Sequence, residues 1–121
     1  MAGEVEAILS RADPVVRETY VAILSVVDSF GPVAVDLKKT SIHLVAGSAF
    51  AGVHPQLKKL RLNIRLARKL EQERIRKVEQ VSASRFHNEL DLGSPTEVDG
   101  ELTGWLREAY DLGARPGPQV L

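Results

Sequence analysis

The chain of 121 residues contains no cysteine. Disulfides, thiolate metal sites and cysteine nucleophiles are therefore excluded, and a reducing compartment suits the composition. Long apolar runs are missing as well. The most apolar stretch, Val21 to Val27, falls far short of the roughly 20 residues that a membrane span needs. The opening residues Met1-Ala2-Gly3-Glu4-Val5-Glu6 have neither the basic segment nor the apolar core of a secretory signal. The expectation is a cytoplasmic protein with no membrane partner. Net charge is absent too, since 16 Lys and Arg balance 16 Asp and Glu. Nothing pulls the whole molecule towards nucleic acid or a membrane surface.

Signatures of common chemistries are also lacking. There is no Gly-x-Ser-x-Gly elbow. Gly47 and Gly52 form neither a Gly-x-Gly-x-x-Gly nor a Walker-type phosphate loop. His43, His54 and His87 are too far apart in sequence to supply a local pair of metal ligands. No metal and no cofactor are expected. Internal repeats and low-complexity tracts are absent.

What is present describes a globular chain. It is 44% hydrophobic and 26% charged, close to the globular average. Its length suits a single core. One domain is expected over residues 1–113, with residues 114–121, which include Pro116, Gly117 and Pro118, as a disordered tail.

Periodicity supplies the elements. Glu4 to Ser10 can form a short helix. Asp13-Pro14 signals a second, with aspartate as N-cap and proline in the first turn. Val16, Tyr20, Ile23, Leu24 and Val27 make its apolar face, and Gly31-Pro32 stops it. The period then shortens to two around Val33–Val35 and Ile42–Leu44. With Ala49 to Val53 beyond Gly47-Ser48, this reads as a hairpin.

The clearest alternation is Leu60, Leu62, Ile64 and Leu66 against Lys59, Arg61, Asn63 and Arg65. As a strand it has an apolar face on the core and a cationic face towards solvent. Ala67 to Arg74 is rich in helix formers and predicts a helical turn or short helix. Val78 to Ser82 and Arg85 to Leu92 read as two more strands. Ser94-Pro95-Thr96-Glu97 has the spacing of a capping box. The stripe Val98, Leu102, Trp105, Leu106 and Ala109 describes a last helix closed by Gly113. Gly104 within it marks either close approach to the sheet or a weak helix. The predicted fold class is α+β: a mainly antiparallel sheet of about five to six strands, with N-terminal and C-terminal helices packed on one face.

Charge is polarised along the chain. From Lys58 to Lys77 nine basic residues face two acids, a net of +7. From Asn88 to Asp111 seven acids face one arginine, a net of −6. Lys59, Arg61 and Arg65 lie on one strand face at about 7 Å per two-residue step, which suits phosphate contacts along a nucleic-acid strand. Arg68, Lys69 and Arg85 could extend such an anion-binding patch. No Phe, Tyr or Trp lies between Pro55 and Arg85, so base stacking is not indicated. The opposing interpretation is that these cations solubilise the sheet or pair with the acidic C-terminal third. Two further clusters merit weighing. Glu89 and Asp91 share a strand face, as an acid–base pair or a solvated one. Arg85-Phe86-His87 could hold an anion or shuttle a proton, or His87 could bond a backbone carbonyl.

Three stretches also resemble a family: Ser41-Ile42-His43-Leu44, Phe50-Ala51-Gly52-Val53-His54-Pro55-Gln56 and Leu60-Arg61-Leu62-Asn63-Ile64. Val78 to Ser82, His87, Glu89 to Leu92 and Val98 to Tyr110 extend the likeness over roughly Val15 to Leu112. The resemblance is to a bacterial domain of unknown function that often ends chains catalogued as predicted transport proteins, some with a nuclease-like N-terminal domain. It implies a helix, a curved antiparallel sheet and a closing helix, and no established reaction. His87 and the Phe50–Gln56 segment are its family-like positions. The basic stretch from Ala67 to Arg76 departs from the pattern.

Three functions are therefore carried forward. The first is a non-enzymatic binding or accessory module that contacts an anionic partner, nucleic-acid backbone or acidic protein surface, through the basic sheet face. The second is a small-molecule binder or enzyme with a pocket between sheet and helices that uses His43, His54 or His87. The third is a homo-oligomer in which the basic middle of one copy meets the acidic end of another.

Overall fold

The computed structural model describes residues 2–114. Two helices come first, α1 (Ala2–Leu9) and α2 (Pro14–Asp28). Six strands follow: β1 (Ala34–Leu37), β2 (Ile42–Ala46), β3 (Ser48–Pro55), β4 (Leu60–Leu66), β5 (Ile75–Ser82) and β6 (Arg85–Leu92). A 3₁₀ turn, Pro95–Glu97, leads to α3 (Gly100–Ala114). The strands form one antiparallel sheet in the order β1-β2-β3-β4-β6-β5. The predicted α+β class and the alternation of Leu60 to Leu66 are both present. None of the helices is long and apolar enough to cross a membrane, among the described residues. Ala114 is still helical, and the predicted tail beyond it lies outside the described residues.

The core occupies the helix side of the sheet. Ile42, Leu44, Val53, Leu60, Leu62, Ile64, Leu66, Leu90 and Leu92 point there and are fully buried. Ile23 and Val27 of α2 and Leu102, Leu106 and Ala109 of α3 cover them. Each large apolar side chain so buried contributes roughly 1.5–3 kcal/mol, which makes this face the main source of stability.

The edge between β2 and β3 departs from strict pairing. Leu44 lies opposite Ala51 and Val45 opposite Ala49, which leaves Phe50 as an extra residue. The bulge turns Phe50 to the helix side, where its ring meets Tyr110 edge-on at 5.4 Å. The Tyr110 hydroxyl in turn donates to the Pro32 carbonyl at 3.0 Å. The end of α3 packs closely on this hairpin. A Cβ on Gly47, which sits at φ +76°, would lie 2.7 Å from the Gly113 carbonyl oxygen. One on Gly113 would lie 3.1 Å from Phe50 Cβ.

Three local expectations need correction. Ala67 to Arg74 forms no helix. β4 and β5 are both antiparallel to β6 and flank it, so the chain between them must run back across the sheet. Asn88 of β6 holds that crossover. Its side chain is fully buried on the helix side. Its Oδ1 accepts the Leu70 N–H at 2.8 Å, and its Nδ2 donates to the Arg68 carbonyl at 3.1 Å. Leu70 is buried beside it. Tertiary bonds and burial override the helix propensity of the segment. The Ser94–Glu97 motif does not cap α3. It closes the 3₁₀ turn, and Glu97 Oε2 accepts the Gly93 N–H at 3.1 Å. The cap of α3 is Asp99, whose Oδ1 accepts the Leu102 N–H at 3.0 Å. Asp13 makes no side-chain cap either; its N–H donates to the Leu57 carbonyl at 2.8 Å and ties α2 to the β3–β4 turn. Gly104 faces open space, so it marks a weaker helix rather than close packing.

Asn88→Ala is expected to strip the partners from several buried backbone groups and lower unfolding stability by about 1–3 kcal/mol, read by urea denaturation. Amide exchange at Leu70 should accelerate in step. An unchanged urea midpoint would show that the crossover is held by other contacts.

Candidate anion-binding site

The sheet face opposite the core carries the polar side chains. The register sets them in rows. His43 lies opposite Gly52, Gly52 opposite Asn63 and Asn63 opposite Glu89. His54 lies opposite Arg61 and Arg61 opposite Asp91. Arg65 lies opposite His87 and His87 opposite Glu79. The alternation of β4 therefore does what the sequence predicts and turns Arg61, Asn63 and Arg65 to one face.

The cations on that face are not equivalent. Arg61 grips Asp91 with two hydrogen bonds, Nε to Oδ1 at 2.8 Å and Nη2 to Oδ2 at 3.3 Å. Lys59 Nζ reaches the same carboxylate at 3.0 Å. Arg76 pairs with Glu89. The Arg61 hydrogen bonds hold the Asp91 carboxyl below its ordinary range, and the same bonds raise the Arg61 pKa. Off this face, Arg68 makes a two-pronged contact with Glu108, both distances 2.9 Å. Arg74 binds Asp99 at 3.0 Å and Glu101 at 3.2 Å. The basic middle and the acidic end of the sequence thus meet within one chain. Exposed pairs of this kind contribute about 0–1 kcal/mol each, so their main consequence is to remove cations from any binding surface.

Arg65 and Arg85 are different. Arg65 makes no ion pair with a described residue. Burial alone pulls its pKa down, and its Nε is buried without a hydrogen-bond partner. The neighbouring Asn63 Oδ1 is likewise buried and unpartnered. Among the described residues the Arg85 side chain bonds only to Ser84, at the carbonyl (2.8 Å) and the hydroxyl (3.4 Å). These two arginines and His87 line a cavity of about 150 Å³. Phe50 of the bulge and Ala109, Leu112 and Gly113 of α3 also line it. That volume has room for several waters at about 30 Å³ each.

The three histidines do not share one pocket. His43 and His54 lean over Gly52, while His87 lines the cavity. All three are held below the ordinary histidine pKa, first by burial. Arg65 adds to the depression at each of them, directly after burial at His43 and His87. Glu89 opposes it at His54 and Glu79 at His87. The rings are therefore neutral at pH 7. Among the described residues no three His, Asp or Glu side chains gather closely enough to hold a metal ion.

Of the residues anticipated for an anion site, the structure brings Arg65 and Arg85 together. It places them beside His87 and ties Lys59, Arg61 and Arg68 to carboxylates. Glu108, which ties down Arg68, and Asn88, which holds the crossover, were not among the residues singled out in the sequence. Glu108 carried no signal, because its approach to Arg68 depends on how α3 packs. Asn88 did carry one: it breaks the apolar alternation Phe86, Leu90, Leu92.

Fold and face together define the class: an α+β domain with helices on one side of an antiparallel sheet and an open polar face on the other. A family model described as Domain of unknown function (DUF5655) matches residues 5–113, and the chain belongs to that family. No curated protein and no solved structure matches it.

The depressed histidines fix a direction for stability against pH. Their folded pKa values lie below the ordinary 6.5. The unfolded chain binds protons first as pH falls through that value, so the stabilisation is complete above it and lost below it. The urea midpoint should be lower at about pH 5 than at pH 7.5, and His87→Asn should flatten the difference. A midpoint that rises on acidification would contradict the depressed values. Asp91 and Asp99, lowered from 3.8, act in a separate and more acidic window.

Proposed function

We propose that the chain is a binding module whose open sheet face holds an anionic partner, the phosphate backbone of a nucleic acid, through Arg65 and Arg85. The supporting observation is that Arg65 has no ion-pair partner among the described residues, on a face where Arg61, Lys59 and Arg76 are all matched to carboxylates. A guanidinium desolvated without a counter-charge gains more from an incoming phosphate than a paired one does, because nothing need be displaced. On β4, β5 and β6 this face carries Arg61, Arg65, Arg76, Lys77 and Arg85 against Glu79, Glu89 and Asp91, a net of +2. The chain is neutral as a whole, so net charge adds no general attraction to that of this face. The nuclease-associated setting implied by the resemblance fits a phosphate ligand but supplies no residue.

Fluorescence anisotropy with a labelled single-stranded oligonucleotide tests this. Two phosphate contacts predict a slope of about −1.4 for log affinity against log salt. Arg65→Ala should weaken binding by about fivefold or more at low salt, as expected for one charge-assisted contact. Arg68→Ala, which removes a cation already tied to Glu108, should leave it unchanged. Equal effects of the two substitutions, or no binding at low salt, would refute the assignment. Equally tight binding of polyglutamate would replace the nucleic acid with an acidic protein surface.

One observation favours a second function, a small-molecule site: His87 lines the cavity with Arg65 and Arg85. Inorganic phosphate alone should then shift the His87 ring resonances saturably. An unmoved spectrum would set this function aside.

A further inference from the structure

The open face holds a second feature beside its cations. Gly52 sits mid-strand in β3, and the imidazoles of His43 and His54 close over it. A Cβ at that position would lie 3.5 Å from His54 Nε2 and 3.7 Å from His43 Cδ2. A glycine inside a strand lets other groups approach the backbone closely. Here it lets two rings settle side by side on the sheet. His87 lies three strands across from His43 and two residues further along, about 16 Å at ordinary strand dimensions, and Arg65 stands beside it. Among the described residues no hydrogen bond contributes to the environment of any of the three rings. Tyr20, Phe50, Trp105 and Tyr110 are buried in the core, Phe30 packs edge-on against Tyr110, and Phe86 lies opposite Leu66 in the alternation that turns to the helix side, so the rings on the open face are these imidazoles.

We propose that the face binds single-stranded nucleic acid, with bases stacked on the imidazoles of His43 and His54 and the adjoining phosphate held by Arg65. This rests on the phosphate-binding role assigned to Arg65 above and adds what lies next to the phosphate. Unpaired bases stack on histidine as on other aromatic rings, and an open antiparallel sheet is a suitable platform for two or three of them. The rings are neutral at pH 7, so they present stacking surface while Arg65 supplies the charge. A duplex keeps its bases covered and offers them nothing to stack on. The missing Phe, Tyr and Trp of the basic segment is thereby compensated by histidines that come from β2 and β3, strands outside that segment.

An abasic oligonucleotide separates the two roles, because it keeps every phosphate and loses every base. The unmodified strand, as DNA or RNA, should bind about tenfold or more tighter than the abasic strand of equal length. Replacing both residues, His43→Ala with His54→Ala, should bring the unmodified strand down to the abasic level and leave abasic binding unchanged. His43→Phe with His54→Phe should restore the difference. In the unaltered protein, the His43 and His54 ring protons should show ring-current shifts with the unmodified strand and none with the abasic one. This measurement stands even if the alanine variant does not fold. Equal affinity for both strands, or absent ring-current shifts, overturns the stacking site and leaves the phosphate site standing. Binding of neither strand overturns both.

Discussion

The carboxamide of Asn88 is where the topology is decided. It takes the Leu70 N–H and gives to the Arg68 carbonyl, and so fastens the β4–β5 connection across the helix side of β6. Satisfying those backbone groups inside an apolar layer requires a polar side chain at that spot, since leaving each unpaired there would cost about 1–3 kcal/mol, more than a hydrogen bond contributes net. With the crossover in place, β6 lies next to β4 and β5 is sent to the edge. A simple meander would have put β5 beside β4 instead.

That choice of neighbour sets the electrostatics of the open face. Because β6 adjoins β4, Asp91 stands opposite Arg61 and His87 opposite Arg65. One arginine is matched to a carboxylate and the other to a neutral ring. A strip of three cations, Lys59, Arg61 and Arg65, read in one dimension becomes a paired end and an unpaired end in three. Burial is the first cause that draws the histidine pKa values down, and the uncompensated charge of Arg65 adds to it at each of them.

The legible parts of this molecule were those with strong local periodicity. Leu60 to Leu66 alternates so regularly that its strand, its buried face and its cationic face all follow from spacing alone. The stripe from Leu102 to Ala109 behaves likewise. Ala67 to Arg74 misled because helix propensity is a weak local preference, of tenths of a kcal/mol per residue, against a long-range bond network. Ser94 to Glu97 misled because a capping box and a 3₁₀ turn use the same residues, and Asp99, five residues later, offers the better cap. The Phe50 bulge was illegible for another reason. It exists to seat one ring against Tyr110, and that partner lies 60 residues away in the chain.

By itself the sequence determined the elements with strong periodicity, the sidedness of the sheet and the list of cations and histidines, because these depend on the identity and spacing of near neighbours. Only the tertiary structure decided which cations remain unpaired. Lys59 and Arg61 meet Asp91 across a strand pairing, and Arg68 meets Glu108 through helix packing. Ion pairing depends on separations of a few ångströms between residues 30 or 40 positions apart. Sequence spacing holds no information on that scale until the strand order and the helix docking are set.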